Sequence, residues 1–190
     1  MLVNDLTMDS MYCTGIINKN SDVMRGLDSF VLAFDTLDLT KKEKLSEVYR
    51  LFYEWGSNAW FVIFSERAIS QLRQSGGMRL IRNKMVTDSI TFYYMAADIC
   101  RKEETSYNED MSQLNHLSYK VFDKLYQEKG HEEMQLAQKM IRDNPYVVRE
   151  LINRARDLRE DINTYNEDIE SMKRIAKALR SLTIREYDLK

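Results

Sequence analysis

The stretch "VVRELINRARDLREDINTYNEDIESMKRIAKAL", residues 147–179, decides the fold. Apolar side chains recur at alternating spacings of three and four residues: Val148, Leu151, Ala155, Leu158, Ile162, Tyr165, Ile169, Met172, Ala176 and Leu179. This alternation keeps one stripe of a helix facing its partners, as in left-handed bundles and coiled coils. Acids and bases alternate on the remaining positions, which is typical of a solvated helix face. The stretch is therefore a long amphipathic helix that needs partner helices.

The same spacing runs from Cys13 to Leu37, from Leu45 to Ile69 and from Val86 to Leu125. We predict long helices over about 3–37, 41–75, 84–128 and 145–187, with a short helix over about 131–142. Together they predict an all-α fold: an elongated up-down-up-down four-helix bundle with a short connecting helix before the last long helix. Because we find no internal repeat or low-complexity segment, we expect one domain over residues 1–190.

Two local motifs mark helix starts. "TKKE", residues 40–43, is a capping box, in which the Thr40 side chain accepts a hydrogen bond from the Glu43 amide and the Glu43 side chain accepts one from the Thr40 amide. "DNPY", residues 143–146, places Asn144 at a helix cap and Pro145 at the first helical position, where its missing N–H is harmless. Gly130 is expected to end the third long helix.

The corner "QLRQSGGMRLIRNK", residues 71–84, raises the question of a phosphate-binding loop. An amphipathic helix precedes the glycines and no Lys-Ser/Thr follows them, so the Walker pattern is not met. We interpret the motif as a structural turn in which a left-handed glycine ends one helix and Asn83 caps the next. The turn residues are Ser75, Gly76, Gly77 and Asn83, and Met78, Leu80 and Ile81 are expected to seal the core beside it.

The second segment contains an irregularity at "YEWGSNAW", residues 53–60. Gly56-Ser57-Asn58 weakens a helix, but the apolar spacing continues through it, so we predict a kink within one continuous helix. Large rings usually fill wide layers of a bundle core. The alternative is a binding pocket or contact surface at Tyr53, Trp55 and Trp60, since sites often lie where local regularity fails.

Composition narrows the classes of function. Twenty-eight basic residues face 30 acidic ones, a net charge of -2, so no basic surface for nucleic acid is expected. The longest apolar run, residues 59–64, is far shorter than the roughly 20 residues that span a bilayer, and the start is no signal peptide. The chain is thus expected to be soluble. Cys13 and Cys100 are expected to be buried; whether they pair is left open.

The motifs of common catalytic centres are missing. A carboxylate-bridged metal site needs Glu-x-x-His on two helices, and only Glu128–His131 has that spacing, with Gly130 inside it. No Gly-x-Ser-x-Gly elbow is present, so we expect no enzyme, no cofactor and no metal. Asn20, Glu66 and Glu104 interrupt the apolar stripes. We interpret them as residues that set helix register or that lie at the edge of the stripes with their polar heads in water. The alternative is a partly buried carboxylate, with Glu104 as the candidate, that recognises a ligand or an arginine.

A central segment resembles a bacterial family of uncharacterised membrane-anchored proteins. The segment is "ISQLRQSGGMRLIRNKMVTDSITFYY", residues 69–94, and its doubled glycine replaces that family's usual Gly-Asn. The matching residues are Leu72, Ser75, Gly76, Leu80, Ile81, Asn83, Lys84, Ile90, Tyr93 and Tyr94. Residues 2–24 also resemble the family's first helix after its anchor. The resemblance implies a helical extracytoplasmic domain on one transmembrane helix, which this sequence lacks, and transfers no catalytic residues.

We therefore expect a non-enzymatic helical-bundle module that senses a small ligand or engages a protein partner, with homodimerisation left open. The resemblance places it outside the cytoplasm, extracytoplasmic or periplasmic, and tethered to the membrane only through a segment absent from this chain. The alternative is a cytoplasmic, soluble helical scaffold or adaptor that binds protein partners.

Overall fold

The computed structural model describes residues 1–37, 41–122 and 144–187. Their regular structure is helical, and no strand occurs in these three ranges, so the prediction of an all-α fold is confirmed. The long helices and helical segments are α1 (Leu2–Thr36), α2 (Lys42–Leu51), α3 (Arg67–Gln74), α4 (Lys84–Val121) and α5 (Pro145–Tyr187).

The boundaries of α5 follow the local signals. Pro145 is its first residue, and the carbonyl of Asn144 accepts hydrogen bonds from the amides of Val147 (3.1 Å) and Val148 (3.4 Å). Its predicted apolar stripe is buried from Leu151 to Leu179, which is what an amphipathic helix with packed partners requires. Thr40, Gly130, His131 and the predicted helix over 131–142 lie outside the described residues.

The prediction of one continuous helix over 41–75 is wrong. After α2 the chain makes one π-helical turn, Phe52–Gly56, and residues 58–66 are not helical before α3 begins. The side chains of Ser57 and Asn58 satisfy carbonyls at the helix end: Ser57 Oγ donates to the Tyr53 carbonyl (3.0 Å) and Asn58 Nδ2 to that of Glu54.

Residues 60–66, the extended segment, show the side-chain alternation of an extended chain at positions 62–64. Val62 and Phe64 are buried, whereas Ile63 between them is 84% exposed. Aromatic and β-branched side chains favour this conformation over a helix. Backbone amides that a helix would pair internally bond elsewhere: that of Val62 donates to the Tyr165 hydroxyl (3.0 Å).

The corner after α3 is built by Gly76 and Asn83. Gly76 has a φ of 67°, in the left-handed region that glycine adopts without a steric penalty, and a 3₁₀ turn over Gly77–Leu80 follows. Asn83 Oδ1 accepts a hydrogen bond from the Met85 amide (2.9 Å) and so caps α4. Met78 and Ile81 are half-buried.

The chain divides into two compact units. Unit 1 comprises 1–19, 60–104 and 165–190; unit 2 comprises 20–59 and 105–164. Helices α1, α4 and α5 each contribute residues to both units. The prediction of a single domain over 1–190 stays a prediction.

Candidate functional site

The four predicted binding residues fall into different surroundings. Tyr53 and Trp55 belong to unit 2, and Trp60 and Glu104 belong to unit 1. Within unit 2, Tyr53 and Trp55 line different clefts.

Tyr53 lines a cleft of about 490 Å³ with Arg50, Glu54, Ser57 and Asn58. Arg50 Nη1 and Glu54 Oε2 form an ion pair at 2.9 Å inside it. The other side of the Tyr53 ring stacks on buried Tyr49, with centroids 6.2 Å apart. The cleft is thus a charged surface depression around one half-exposed ring.

Trp55 is half-buried because its indole packs directly on Gly26 of α1. A Cβ at position 26 would overlap the ring, so the absence of a side chain there is what allows the contact. Asp22, Arg25 and Ser29 complete a cleft of about 200 Å³ beside it. Trp55 therefore joins α1 to the π-helical turn that follows α2, within unit 2.

Trp60 has a different partner. Its exposed ring lies under the ammonium of Lys19, with Nζ 3.6 Å from the ring centroid. At an exposed position such a cation–π contact contributes on the order of 0.5–1 kcal/mol. The contact fixes the start of the extended segment against α1 inside unit 1.

Glu104 is half-buried, and burial raises the pKa of its carboxyl while the charge of Arg101 lowers it. Arg101 itself pairs with Glu66 and Asp98. Glu66 is exposed, whereas Asn20, the third polar residue in the predicted stripes, is buried in unit 2.

Sequence reasoning missed two buried carboxylates, Asp5 and Asp9, one turn apart on α1 and each 2% exposed. Asp9 Oδ1 accepts a hydrogen bond from the Ser65 amide (3.0 Å), and Asp9 Oδ2 accepts one from the Tyr93 hydroxyl. Tyr94 donates to the Ser65 carbonyl (3.4 Å). Asp9 thereby fastens the end of the extended segment to α1 and α4.

Asp5 caps α3 from a different helix. Its Oδ2 accepts the amide of Ala68 (3.2 Å), and its Oδ1 pairs with Arg67 Nη2 (2.9 Å). A carboxylate at a helix N-terminus satisfies an otherwise unpaired amide and interacts favourably with the helix dipole. The available sequence signal was a pair of acids four residues apart on the buried side of α1.

Electrostatics around Asp9 follow from its burial. Burial raises the pKa of Asp9, the hydrogen bonds from Tyr93 and Ser65 lower it, and the charge of Asp5 raises it. Burial also raises the pKa of Tyr93, and it raises that of Tyr94 to about 12. Both carboxylate oxygens of Asp9 and the hydroxyls of Tyr93 and Tyr94 hydrogen-bond to protein groups, which suits an anchor.

Cys13 and Cys100 are free, buried thiols of unit 1. Burial raises the pKa of each to about 12. Because the thiolate is the nucleophile, such a thiol is inert near neutral pH.

The exposed side of α4 carries an apolar surface that the sequence analysis did not identify. Met85, Phe92, Met95 and Ile99, the α4 apolar face, are each between 51% and 61% exposed. Their spacings of seven, three and four place them on one side of the helix. The opposite side holds the buried stripe: Val86, Ile90, Tyr93, Ala97 and Cys100. The buried stripe made the α4 apolar face hard to recognise in the sequence, because apolar residues on both sides of a helix weaken its hydrophobic periodicity.

No helix in the described ranges is both long and apolar enough to cross a bilayer, and no three potential metal ligands cluster among those residues. No protein-family model, curated protein or solved structure matches the chain.

Proposed function

We propose that the chain is a non-enzymatic helical-bundle module that binds protein through the α4 apolar face. The observation that carries the proposal is the exposure of Met85, Phe92, Met95 and Ile99 on one side of one helix. Exposed apolar side chains scattered singly are ordinary, whereas a contiguous set marks an interaction surface. Long, flexible methionine side chains also adapt well to a partner's shape.

The helical arrangement belongs to the same proposal. We propose an up-down-up-down four-helix bundle whose members are α1, the interrupted α2–α3 segment, α4 and α5. The buried heptad stripe of α5 and the ion pairs of unit 2 between α1 and α5, Asp28–Arg159 (3.2 Å) and Asp35–Arg156 (3.6 Å), support it.

Small-ligand sensing receives less support than protein binding. The Tyr53 cleft contains the Arg50–Glu54 ion pair, and ligand sites are usually mostly apolar with a few convergent polar groups. Catalysis also lacks support. The Asp9 carboxylate accepts hydrogen bonds from the Ser65 amide and the Tyr93 hydroxyl, and both cysteine thiols are buried.

Location is proposed from the sequence resemblance. We propose that the full-length protein is anchored to the membrane by a further segment and presents this module outside the cytoplasm. Fractionation of native cells, followed by protease treatment of spheroplasts, tests this. A protein that stays soluble and protected would overturn the tether and leave a cytoplasmic adaptor.

Protein binding is tested with a photo-crosslinking residue placed at Met95 in the native host. Tyr119, also exposed on α4, is the matched control position. We expect covalent adducts from position 95, few from position 119, and loss of the former when Phe92→Glu is added. Equal adducts at both positions, or none at either, would refute binding through the α4 apolar face.

A further inference from the structure

We infer that the occupant of the α4 apolar face is a second copy of this chain, paired through antiparallel α4 helices about a two-fold axis at Met95. This inference rests on the proposed function. It adds the partner, the orientation and the residue on the axis.

The charged residues on either side of Met95 support the inference. Asp88 and Lys102 are both exposed, and each lies seven residues from Met95, one towards either end. Seven residues are close to two helical turns, so all three side chains share one side of α4. Within the described ranges neither Asp88 nor Lys102 has an ion-pair partner in its own chain.

A two-fold interface brings each residue against its symmetry counterpart. With Met95 on the axis and the helices antiparallel, Asp88 of each copy faces Lys102 of the other, so the two ion pairs form together. A parallel pair would instead place Asp88 against Asp88 and Lys102 against Lys102. Like charges in direct opposition disfavour association, and the pattern therefore selects the antiparallel arrangement.

The α4 apolar face is also long enough for a short pair of packed helices. From Met85 to Ile99 it is roughly 21 Å long at 1.5 Å per residue. Beyond Lys102 the same side of α4 presents Ser106, Glu109 and Gln113, which are exposed and polar. Because a single helix face is small for an interface, we expect a reversible dimer that grows with concentration.

Sedimentation equilibrium of the whole chain over a wide concentration range tests the inference. We expect a monomer–dimer equilibrium that Phe92→Glu abolishes and the control Tyr119→Glu leaves intact. Asp88→Lys or Lys102→Asp alone should weaken association about tenfold, since both symmetric ion pairs are replaced by repulsion. The double variant Asp88→Lys/Lys102→Asp should restore it, and failure of this rescue would overturn the antiparallel pairing.

A second measurement locates the axis. On mild oxidation, Met95→Cys should give a disulfide-linked dimer, whereas Tyr119→Cys should not. The native thiols Cys13 and Cys100 are buried and contribute no background in the folded protein.

The outcomes separate the two proposals. If position 95 crosslinks to a different protein while the chain stays monomeric, protein binding stands and self-association is overturned. If a monomeric chain instead binds phosphatidylcholine vesicles through Phe92, the occupant is a lipid surface and self-association again fails. If no adduct, no dimer and no vesicle binding occurs, both proposals fail.

Discussion

At the scale of single residues, the contact between Gly26 and Trp55 predicts that a side chain at position 26 destabilises the protein. Gly26→Ala would place a methyl group inside the indole, so we expect a loss of about 1–3 kcal/mol in the free energy of unfolding. Gly15→Ala is the matched control, because nothing lies within 4 Å of a Cβ at position 15 of the same helix. It should stabilise the protein by about 0.5–1 kcal/mol through helix propensity. Chemical denaturation measures both, and equal effects would contradict the packing described for Trp55.

Asp9 predicts a dependence of stability on pH. Because burial raises its pKa above the ordinary value of 3.8, the folded protein binds this proton more tightly than the unfolded chain does. The stabilising contribution is therefore fully present below about pH 3.8 and is lost as the pH rises through the raised folded-state pKa.

The Asp9→Asn variant isolates that contribution from the other carboxyl groups. We expect the free energy of unfolding of the native chain, minus that of the variant, to increase as the pH falls from about 7 to about 4. Urea denaturation at several pH values measures the difference. A difference that stays constant, or moves the other way, would refute the raised pKa.

At the scale of helices and segments, Asp5 is expected to hold the start of α3. Asp5→Ala removes the acceptor of the Ala68 amide and the partner of Arg67, which should lower stability by about 1–3 kcal/mol. Hydrogen exchange of amides 65–70 should accelerate more than exchange elsewhere.

The control for this change is Asp22→Ala, which removes an exposed carboxylate of the same helix that pairs with Arg25. It should alter stability by no more than about 0.5 kcal/mol. If both variants behave alike, Asp5 is not an anchor.

The boundaries of a helix could be predicted from the sequence only where residues close in the chain determine them. The start of α5 is set by Asn144 and Pro145, and its burial by its own heptad spacing, so both could be read from the chain. The left-handed Gly76 was equally local. The break before α3 was not, because Asp9 and Tyr165, which receive amides of the extended segment, are far away in sequence. The spacing Trp55, Ala59, Val62, Glu66 fitted a helix by coincidence.

The candidate surfaces were harder to predict for the same reason. An aspartate near the start of a helix is usually exposed to solvent. Asp9 is a buried anchor only because Ser65 and Tyr93, which are distant in sequence, hydrogen-bond to it. The α4 apolar face was equally hard to predict, since Phe92 and Tyr93 are adjacent aromatic residues, yet Phe92 is exposed and Tyr93 is buried. Trp55 and Trp60 were correctly picked out as unusual, yet they contact different partners, Gly26 and Lys19.

At the scale of the whole molecule, the two tryptophans report on the two units separately. Trp60→Phe leaves Trp55 as the fluorophore of unit 2, and Trp55→Phe leaves Trp60 for unit 1. Because α1, α4 and α5 each contribute to both units, we expect the two variants to show transitions that coincide with those followed by circular dichroism. Two separate midpoints within one variant's circular dichroism curve would contradict the predicted single domain.

The inward–outward alternation of Val62, Ile63 and Phe64 has a consequence for how this protein can change in length. The segment is fastened at Val62 and again at Ser65, so one inserted residue between them would exchange the buried and exposed sides of the extended residues between the insertion and α3. Two inserted residues would preserve the sides and only lengthen the path. Natural or engineered insertions here should therefore be tolerated in pairs and rejected singly, a parity rule imposed by the non-helical residues 58–66.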